Sequence, residues 1–472
     1  MLKRVFSLLL CSVLALSLWA GGKAKYVFYF IGDGMGVNQV NLTETYLAAL
    51  EGRIGIAPLT FADFPYAGLI NTFSATNGVT DSAASGTALA TGHKTKNGAL
   101  GLLPDLTTPV MSIAVGAKDA GARVGIATSV SVDHATPAAF YAHEPNRNSY
   151  HKIGNQLFEA GFDFYAGSDF RQPAADKAAG ETQSLYERAA SEGYVIARGY
   201  DNYLKASPSA GRVILLQSEQ PSNADPTCLP YAIDRRESDL TLTQITRAAI
   251  ESLSEGKQGF FLMVEGGKID YACHANDAAT VVHEIVDMDS AIREAVAFYE
   301  KHPKETLIVV TADHETGGLV LGRGPYELHT DLLRHQRMSA EEYTRHLNRL
   351  HTELGEKLPW ERVEADLREN WGFGVDVKLN DHQKERLHKA FEAFIAGRDE
   401  AKANLYASLG GIADAARRTM AECALVGWQS GGHSNGYVPV FAIGVGAEQF
   451  VGRFDNTFIP KKIAAIAGWS LK

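Results

Sequence analysis

The chain has 472 residues, of which 45% are hydrophobic and 21% are charged, and this balance excludes a disordered or fibrous protein. Its formal net charge of −10 argues against a general nucleic-acid or anionic-membrane binder, because such proteins carry a basic surface. Large α/β enzymes place this much chain on one sheet, so we predict a single catalytic domain over residues 23–472.

Residues 1–22 have the pattern of a secretory signal peptide. Lys3 and Arg4 precede an apolar run over residues 8–16, and the small residues 20–22 follow it. The run is too short to anchor the chain in a bilayer, and no second segment has the composition of a membrane span. We therefore predict export to the periplasm or the extracellular space.

Removal of this segment would leave three cysteines, Cys228, Cys273 and Cys423, at spacings that match no disulfide framework. An odd number allows one disulfide at most.

Six short apolar runs are separated by longer helical patterns. This alternation predicts an α/β fold, a three-layer sandwich whose central, mostly parallel sheet is covered by helices on both faces. A helix after the fourth run is predicted from apolar residues at helical spacing, Val281, Ile285, Met288 and Ile292. The six predicted strands are residues 26–31, 124–127, 213–216, 260–264, 307–310 and 438–443.

Residues 326–424 differ from the rest in being highly charged and strongly helical, and we predict that they form an inserted helical cap. Ser339 and Glu342 have the spacing of a capping box, and an apolar helical stripe ends at Gly372. The histidines of this segment are predicted to be solvated helix residues: His335, His346, His351, His382 and His388.

Acidic and imidazole side chains collect just after the ends of the predicted strands. Ligands of open α/β sheets bind at that edge, so residues distant in sequence can converge there. The first of them is Asp33, which lies among Gly32, Gly34 and Gly36 after the first run. The glycines permit a sharp turn that leaves the carboxylate accessible, although a simple turn is the alternative interpretation.

The fourth run is followed by three potential metal ligands within ten residues. Glu265 closes the strand, and Asp270 and His274 are four residues apart, which puts them on one face of a helical turn. A helix start with acidic capping residues is the alternative. Cys273 should point away from His274 and is predicted to be structural.

An Asp313–His314 pair follows the fifth run directly, and such a buried pair is costly unless it is bonded or holds a metal. His433 comes after two glycines, just before the last run. Its imidazole would complete a zinc site with Asp270 and His274.

Small residues from 79 to 92 predict a short helix with Ser82 in its first turn. At a helix start the free backbone N–H groups and the helix dipole favour an alkoxide and an incoming phosphate. The alternative is that Asp81 or Ser82 serves only as the N-cap.

In order and spacing, six segments of the chain resemble those of alkaline phosphatases. The family implies a metal-dependent phosphomonoesterase that acts on small-molecule phosphate monoesters through a phosphoserine intermediate on Ser82, with a broad substrate range. It also implies a homodimer. The segments are residues 32–36, 80–84, 133–137, 264–274, 311–318 and 431–433.

The resemblance implies two zinc ions and one magnesium ion. One zinc site consists of Asp270, His274 and His433. The other, which also contacts Ser82, consists of Asp33, Asp313 and His314. The magnesium site consists of Thr136 and Glu265, with Asp33 as a bridge and His134 beside them.

Arg147 matches the arginine that grips the phosphate, since its planar fork suits two phosphoryl oxygens, and a structural surface arginine is the alternative. Three positions depart from the family pattern. His134 stands where some relatives have aspartate, Tyr271 where many have lysine or histidine, and Thr316 where some have a second histidine. These departures concern the third metal and the pH optimum.

Three other functions compete with this prediction. Sulfatases need a Cys or Ser followed by x-Pro-x-Arg, whereas Ala83, Ala84, Ser85 and Gly86 follow Ser82. Phosphodiesterases of the same superfamily would not be expected to retain Arg147 and the third metal site. A noncatalytic zinc-binding protein would tolerate loss of the nucleophile.

Overall fold

The computed structural model describes residues 22–471 except 178–179, 181, 207–210, 224, 226, 399–401 and 404–407. The predicted signal peptide, apart from Gly22, lies outside the described residues. Among the residues described, no helix is both long enough and apolar enough to cross a membrane.

The strands, in chain order, are β1 (Tyr26–Gly32), β2 (Tyr66–Asn71), β3 (Arg123–Thr128), β4 (Phe164–Gly167), β5 (Tyr194–Arg198), β6 (Arg212–Leu216), β7 (Phe260–Gly266), β8 (Thr306–Ala312), β9 (Glu315–Thr316), β10 (Val320–Leu321), β11 (Lys402–Ala403), β12 (Ser408–Leu409), β13 (Val426–Gly427), β14 (His433–Ser434), β15 (Val438–Gly444) and β16 (Gly452–Asp455).

The α-helices are α1 (Val37–Leu50), α2 (Ser82–Thr91), α3 (Ile113–Asp119), α4 (Ala135–Ala138), α5 (Tyr150–Ala160), α6 (Leu185–Ser191), α7 (Tyr200–Lys205), α8 (Leu242–Leu253), α9 (Lys268–His274), α10 (Ala278–Lys301), α11 (Ala340–Leu354), α12 (Trp360–Trp371), α13 (Asp381–Ile395), α14 (Gly411–Cys423) and α15 (Phe458–Ala467). Short 3₁₀ helices span Thr330–His335, Gly355–Lys357 and Ala447–Phe450.

Ten strands form the central sheet, in the order β16-β2-β15-β8-β1-β7-β3-β4-β6-β5. Its neighbouring strands pair in parallel except for β15, which runs antiparallel to both β2 and β8. The predicted α/β class with a mostly parallel sheet is therefore confirmed, and all six predicted runs are strands of this sheet. The sheet also contains β2, β4, β5 and β16, which the sequence did not predict.

The register of the three central strands places their carboxyl ends side by side. Gly32, at the end of β1, pairs with Gly266 of β7 and with Ala312 of β8. Every residue of β1, β7 and β8 is buried, as expected of parallel strands covered on both faces. The segments that follow these strands consequently leave the sheet at one edge.

The long helix α10 covers one part of the sheet in the predicted way. It buries the four apolar residues whose spacing predicted it, Val281, Ile285, Met288 and Ile292. All four belong to the main hydrophobic core together with the central strands. Burial of this stripe is what holds the helix on the sheet.

The described part of residues 326–424 contains four α-helices, and many apolar side chains of this part form a second hydrophobic cluster that includes Tyr343, Leu347 and Trp371. The hydroxyl of Ser339 caps α11 by accepting a hydrogen bond from the Glu342 amide at 3.0 Å. The predicted capping box is wrong in its second half, because the Ser339 amide donates instead to Asp234 Oδ1 at 2.8 Å.

The histidines of this segment do not all face solvent. His382 and His388 are exposed as predicted. His346 is half-buried, and its Nε2 lies 2.8 Å from Oδ1 of the buried Asp366. The cysteines Cys228, Cys273 and Cys423 are all free.

Candidate active site

The loop after β1 packs tightly against the segment after β7. Gly34 has a φ of +73°, a conformation that favours glycine, and a Cβ at this position would lie 2.9 Å from the Asp270 Cα. Asp33, Asp270 and Asp313 are all fully buried at this edge of the sheet. The glycines of the first motif therefore do more than form a turn, because they let one carboxylate-bearing loop touch another.

Glu315 ties together the loops that carry His314 and His433. Its carboxylate accepts a hydrogen bond from Gln39 Nε2 at 2.7 Å and another from the hydroxyl of Ser434. The short strands β9 and β14 pair here, with Thr316 opposite His433. The sequence did not predict this role for Glu315.

Ser82 is the first residue of α2, and Asp81 before it is the N-cap. Asp81 Oδ1 accepts a hydrogen bond from the Ala84 amide at 3.0 Å. The capping interpretation thus describes Asp81 and leaves the Ser82 hydroxyl available. Ser82 Oγ lies 3.2 Å from His314 Nε2.

The first candidate metal group is formed by Asp270, His274 and His433. His274 Nε2 lies 3.1 Å from Asp270 Oδ2 and 3.2 Å from His433 Nε2, and His433 Nε2 lies 3.7 Å from Asp270 Oδ1. These are the three residues that the sequence predicted to share a zinc.

Two backbone carbonyls orient the imidazoles of this group. His274 Nδ1 lies 2.6 Å from the Gly431 carbonyl oxygen, and His433 Nδ1 lies 2.9 Å from that of Thr80. A carbonyl oxygen accepts a hydrogen bond only if Nδ1 carries the proton, which leaves Nε2 of both residues free to bind a metal.

The second candidate metal group is formed by Asp33, Asp313 and His314. His314 Nε2 lies 3.3 Å from Asp33 Oδ1 and 3.3 Å from Asp313 Oδ2. The group therefore adjoins the Ser82 hydroxyl through His314. These are the residues predicted to hold the zinc that contacts Ser82.

The first and second groups are in contact with each other. The rings of His314 and His433 stack with their centroids 3.7 Å apart, and His314 also lies within ligand distance of Asp270 and His433. Thr316 links the groups, because its hydroxyl donates to Asp270 Oδ1 at 2.6 Å and lies 3.2 Å from His314 Nδ1. The sequence marked Thr316 as a departure from the family pattern but did not predict this bridging contact.

The third candidate group contains Asp33, His134 and Glu265, whose ligand atoms lie within 4.8 Å of one another. The hydroxyl of Thr128 donates a hydrogen bond to the Glu265 carboxylate. The side chain of Thr136, which is buried in α4, also interacts with Glu265. This contact acts to lower the pKa of Glu265, which burial raises. The sequence analysis did not predict Thr128 as a residue of this site. It could have been found, because it is the last residue of β3, directly opposite Glu265, and candidate residues were sought at strand ends.

The buried carboxylates carry more negative charge than their neighbours neutralise. Burial and repulsion by nearby carboxylates raise the pKa of Asp313 to about 8 and that of Asp33 well above its usual value, and burial raises that of Glu265 to about 7. Burial also acts to raise the pKa of Asp270, but the histidines around it outweigh that effect and lower it. Neither oxygen of Asp33 nor Oε1 of Glu265 accepts a hydrogen bond from a described residue. Bound cations would supply the missing positive charge, so these residues fit divalent metals.

A pH dependence of the metal-free protein follows from these shifts. The ordinary values are 3.8 for Asp313 and 4.5 for Glu265, so the folded chain binds protons more tightly than the unfolded chain does. His134 and His314 act in the opposite sense at lower pH, because burial lowers their pKa values well below the ordinary value of 6.5. Above that range the carboxylates dominate, and we expect the free energy of unfolding of the chelated protein to fall as pH rises from about 7 to about 8. Thermal unfolding across this range measures the effect. Asp313→Asn should flatten the slope, and a slope of opposite sign would contradict the assignment.

Arg147 is held beside the start of α2 rather than at the surface, since its side chain is only 11% exposed. Its Nη1 lies 3.1 Å from Asp81 Oδ2, and its Nη2 lies 3.2 Å from His134 Nε2. The surface-arginine interpretation is therefore wrong. The pairing with Asp81 was not predicted, and it fixes the guanidinium next to the start of α2.

A phosphoryl dianion is the group that this edge of the sheet would attract, because Arg147 and the amino end of α2 both favour it. Comparison with known proteins defines the class. A family model described as Alkaline phosphatase matches residues 24–166 and 224–469, so the chain is a phosphoric monoester hydrolase. It belongs to the alkaline phosphatase family.

Individual relatives agree with this membership. Alkaline phosphatase 3 of Bacillus subtilis is 29% identical over 460 residues, which cover 95% of this chain and 90% of the relative. Alkaline phosphatase of Escherichia coli K12 is 34% identical over 62% of this chain and 70% of the relative. The crystal structure of Thermus thermophilus alkaline phosphatase has a TM-score of 0.76 at 29% identity and covers 95% of this chain and 92% of that one.

Proposed function

We propose that the chain is an exported, metal-dependent phosphomonoesterase that hydrolyses a broad range of small phosphate monoesters through a phosphoserine on Ser82. One observation supports this above the others. The hydroxyl of Ser82, 3.2 Å from His314, adjoins two contacting groups of metal-binding residues, with Arg147 held beside it.

The donor atoms favour particular metals. Imidazoles mixed with carboxylates, as in the first two groups, suit zinc. At the third group the oxygens of Asp33 and Glu265, with the hydroxyl of Thr136 beside Glu265, suit magnesium. We propose two zinc ions and one magnesium ion, with His134 beside the magnesium. Variants of the alkaline phosphatase of the Antarctic bacterium TAB5 hold magnesium in the site named M3. Bound here, such ions would lower the pKa of the Ser82 hydroxyl and of water, and would offset charge on the phosphoryl group.

The first half of the reaction transfers the phosphoryl group to the protein. Ser82 Oγ forms a bond to phosphorus as the bond from phosphorus to the ester oxygen breaks, and the proton that Ser82 gives up ends on the leaving oxygen. The alcohol leaves on the side opposite Ser82. Arg147 binds phosphoryl oxygens, and its ion pair with Asp81 keeps the guanidinium in place while the phosphorus moves.

The second half regenerates the enzyme. Water attacks the phosphoserine from the side that the alcohol has left, the phosphorus–Oγ bond breaks, and a proton from the water passes to Ser82 Oγ. The backbone amides at the start of α2 stabilise negative charge on Oγ in both halves. The products are one alcohol and one inorganic phosphate for each ester.

The decisive experiment compares a monoester with its diester. We expect hydrolysis of 4-nitrophenyl phosphate to exceed that of bis(4-nitrophenyl) phosphate by several orders of magnitude, because a diester offers Arg147 and the ligand groups less charge. Absorbance at the nitrophenolate band follows both reactions. Equal or reversed rates would overturn the proposal and favour the phosphodiesterase alternative.

Arg147 offers a second prediction. Arg147→Ala should lower kcat/KM for 4-nitrophenyl phosphate by about 10²-fold, the typical loss on removing one charge-stabilising donor. Arg147→Lys should recover little of it, because a lysine cannot make the planar two-point contact. Steady-state kinetics test this, and an exposed arginine, Arg349→Ala, serves as the control. Wild-type kcat/KM in Arg147→Ala would contradict the role.

Export and oligomeric state belong to the same proposal. The signal-like residues 1–22 support export, and the family resemblance supports a homodimer. Fractionation of cells that express the full chain, followed by light scattering of the purified protein, tests both.

A further inference from the structure

Glu315 is a buried carboxylate that directly follows His314 and has no part in the reaction proposed above. It accepts four hydrogen bonds from three segments of the chain, so both of its oxygens are fully used. The donors are Gln39 Nε2 at 2.7 Å, the Gly318 amide at 3.1 Å, the Leu319 amide at 3.2 Å and the hydroxyl of Ser434.

The hydroxyl of Ser434 is oriented toward this carboxylate by its own loop. The Gly436 amide donates to Ser434 Oγ at 3.1 Å, which leaves the hydroxyl proton for Glu315. The same loop packs on the stem of the glutamate, because a Cβ at Gly436 would lie 3.1 Å from Glu315 Cβ. The hydrogen bond and the packing together fix the loop against the segment that follows β8.

His433 depends on such support more than the other ligands of the first group do. Asp270 and His274 are buried on the helix α9, whereas His433 lies on a half-buried loop. Glycines occupy positions 431, 432 and 436 of this loop, and its strand β14 has only two residues. Glycine loses more backbone freedom on ordering than any other residue, so the loop needs side-chain contacts to hold its position.

The hydrogen bond between Glu315 and Ser434 supplies one of these contacts next to two metal-binding residues. Ser434 follows His433 and lies opposite Glu315 in the pairing of β14 with β9. Glu315 in turn follows His314, which the end of the central strand β8 already holds in place. The bond therefore fastens the mobile side of the first group to a rigid part of the sheet, with His433 Nε2 3.2 Å from His274 Nε2.

We propose that Glu315 and Ser434 are positioning residues, and that the hydrogen bond between their side chains holds His433 in place as a ligand of the first group. Loss of this bond weakens metal binding at the first group and leaves the second group unchanged, because no ligand of the second group lies on the His433 loop. This inference rests on the proposed function, since it concerns a metal site of that reaction.

Ser434→Ala is the direct test, because it removes the hydroxyl and keeps every proposed ligand. Chelated protein is titrated with zinc in competition with a chromogenic chelator, which gives the affinity of each site without any turnover. We expect zinc affinity at the first group to fall by about tenfold or more, the usual loss when a partner that orients a ligand is removed. His433→Ala identifies the first group in the titration, because it removes one of its ligands.

Two further variants separate the hydrogen bond from the general packing of the loop. Ser434→Thr keeps the hydroxyl and should restore wild-type affinity. Glu315→Gln should reproduce the loss, because all four donors point at this side chain and an amide nitrogen cannot accept from them. Adding Ser434→Ala to Glu315→Gln should weaken zinc binding no further, since both changes remove the same bond.

Ser254→Ala is the matched control, because it removes an exposed serine hydroxyl at the end of α8 and should leave both affinities unchanged. Wild-type affinity at the first group in Ser434→Ala would overturn the proposal. Equal weakening of both groups would also overturn it, since that result describes a general loosening of the fold. Neither result bears on the phosphatase activity, which hydrolysis of the monoester by the wild-type protein tests separately.

Discussion

Replacing Ser82 by alanine will lower kcat for 4-nitrophenyl phosphate by about 10⁴-fold or more, the scale of loss seen when a nucleophile is removed. The reason is the position of the hydroxyl that the variant lacks. Ser82 lies at the start of α2, and its Oγ is 3.2 Å from His314 of the second candidate metal group. Steady-state turnover and metal analysis by mass spectrometry measure the two effects together.

Bound metal should be retained in Ser82→Ala, because the three candidate groups keep all their carboxylates and imidazoles. Ser254→Ala, an exposed serine at the end of α8, is the control and should keep wild-type turnover. Unchanged activity in Ser82→Ala with metal retained is incompatible with a phosphoserine mechanism.

The second large effect is expected on removal of metal. A chelator should reduce hydrolysis to the background of the assay, and zinc followed by magnesium should restore it. The physical cause is the crowding of Asp33, Glu265 and Asp313, whose raised pKa values show charge that the protein does not neutralise by itself. Activity and bound zinc are followed through the titration.

One histidine variant makes the metal prediction specific. His433→Ala should lower the zinc content by about one ion per chain and abolish turnover, since the first group then keeps only Asp270 and His274. His388→Ala, which replaces an exposed histidine on α13, should change neither quantity.

Full activity in chelated protein would contradict the assignment of all three groups.

Much of the fold was predictable because parallel central strands are continuous apolar runs. The runs at β1, β7 and β8 stand out for that reason. Asp33, Asp270 and Asp313 were predicted as ligands because they follow the carboxyl ends of these runs. Strands β2 and β16 were missed because they carry exposed residues near the sheet's edge and show no such run. Their apolar signal is too weak for sequence patterning to detect.

The contacts of the site that the sequence did not predict were missed for a different reason. Thr316 and Glu315 follow His314 in sequence, but their roles depend on the direction of each side chain and on a partner more than forty residues away. The ion pair between Asp81 and Arg147 likewise joins two loops whose approach no local pattern encodes. Spacing predicted which residues would meet, and the packing of the loops determined which atoms touch.

The order of strands in the sheet has a consequence for biogenesis. β1 is synthesised first, yet its neighbours β7 and β8 come more than two hundred residues later, and β15 follows later still. Such long separations in sequence make folding slow, and they leave β1 and β2 unpaired until the distal chain arrives. His433 joins the other ligands only with the loop before β15. A nascent or truncated chain would therefore be inert, and the catalyst would exist only once nearly the whole polypeptide had emerged.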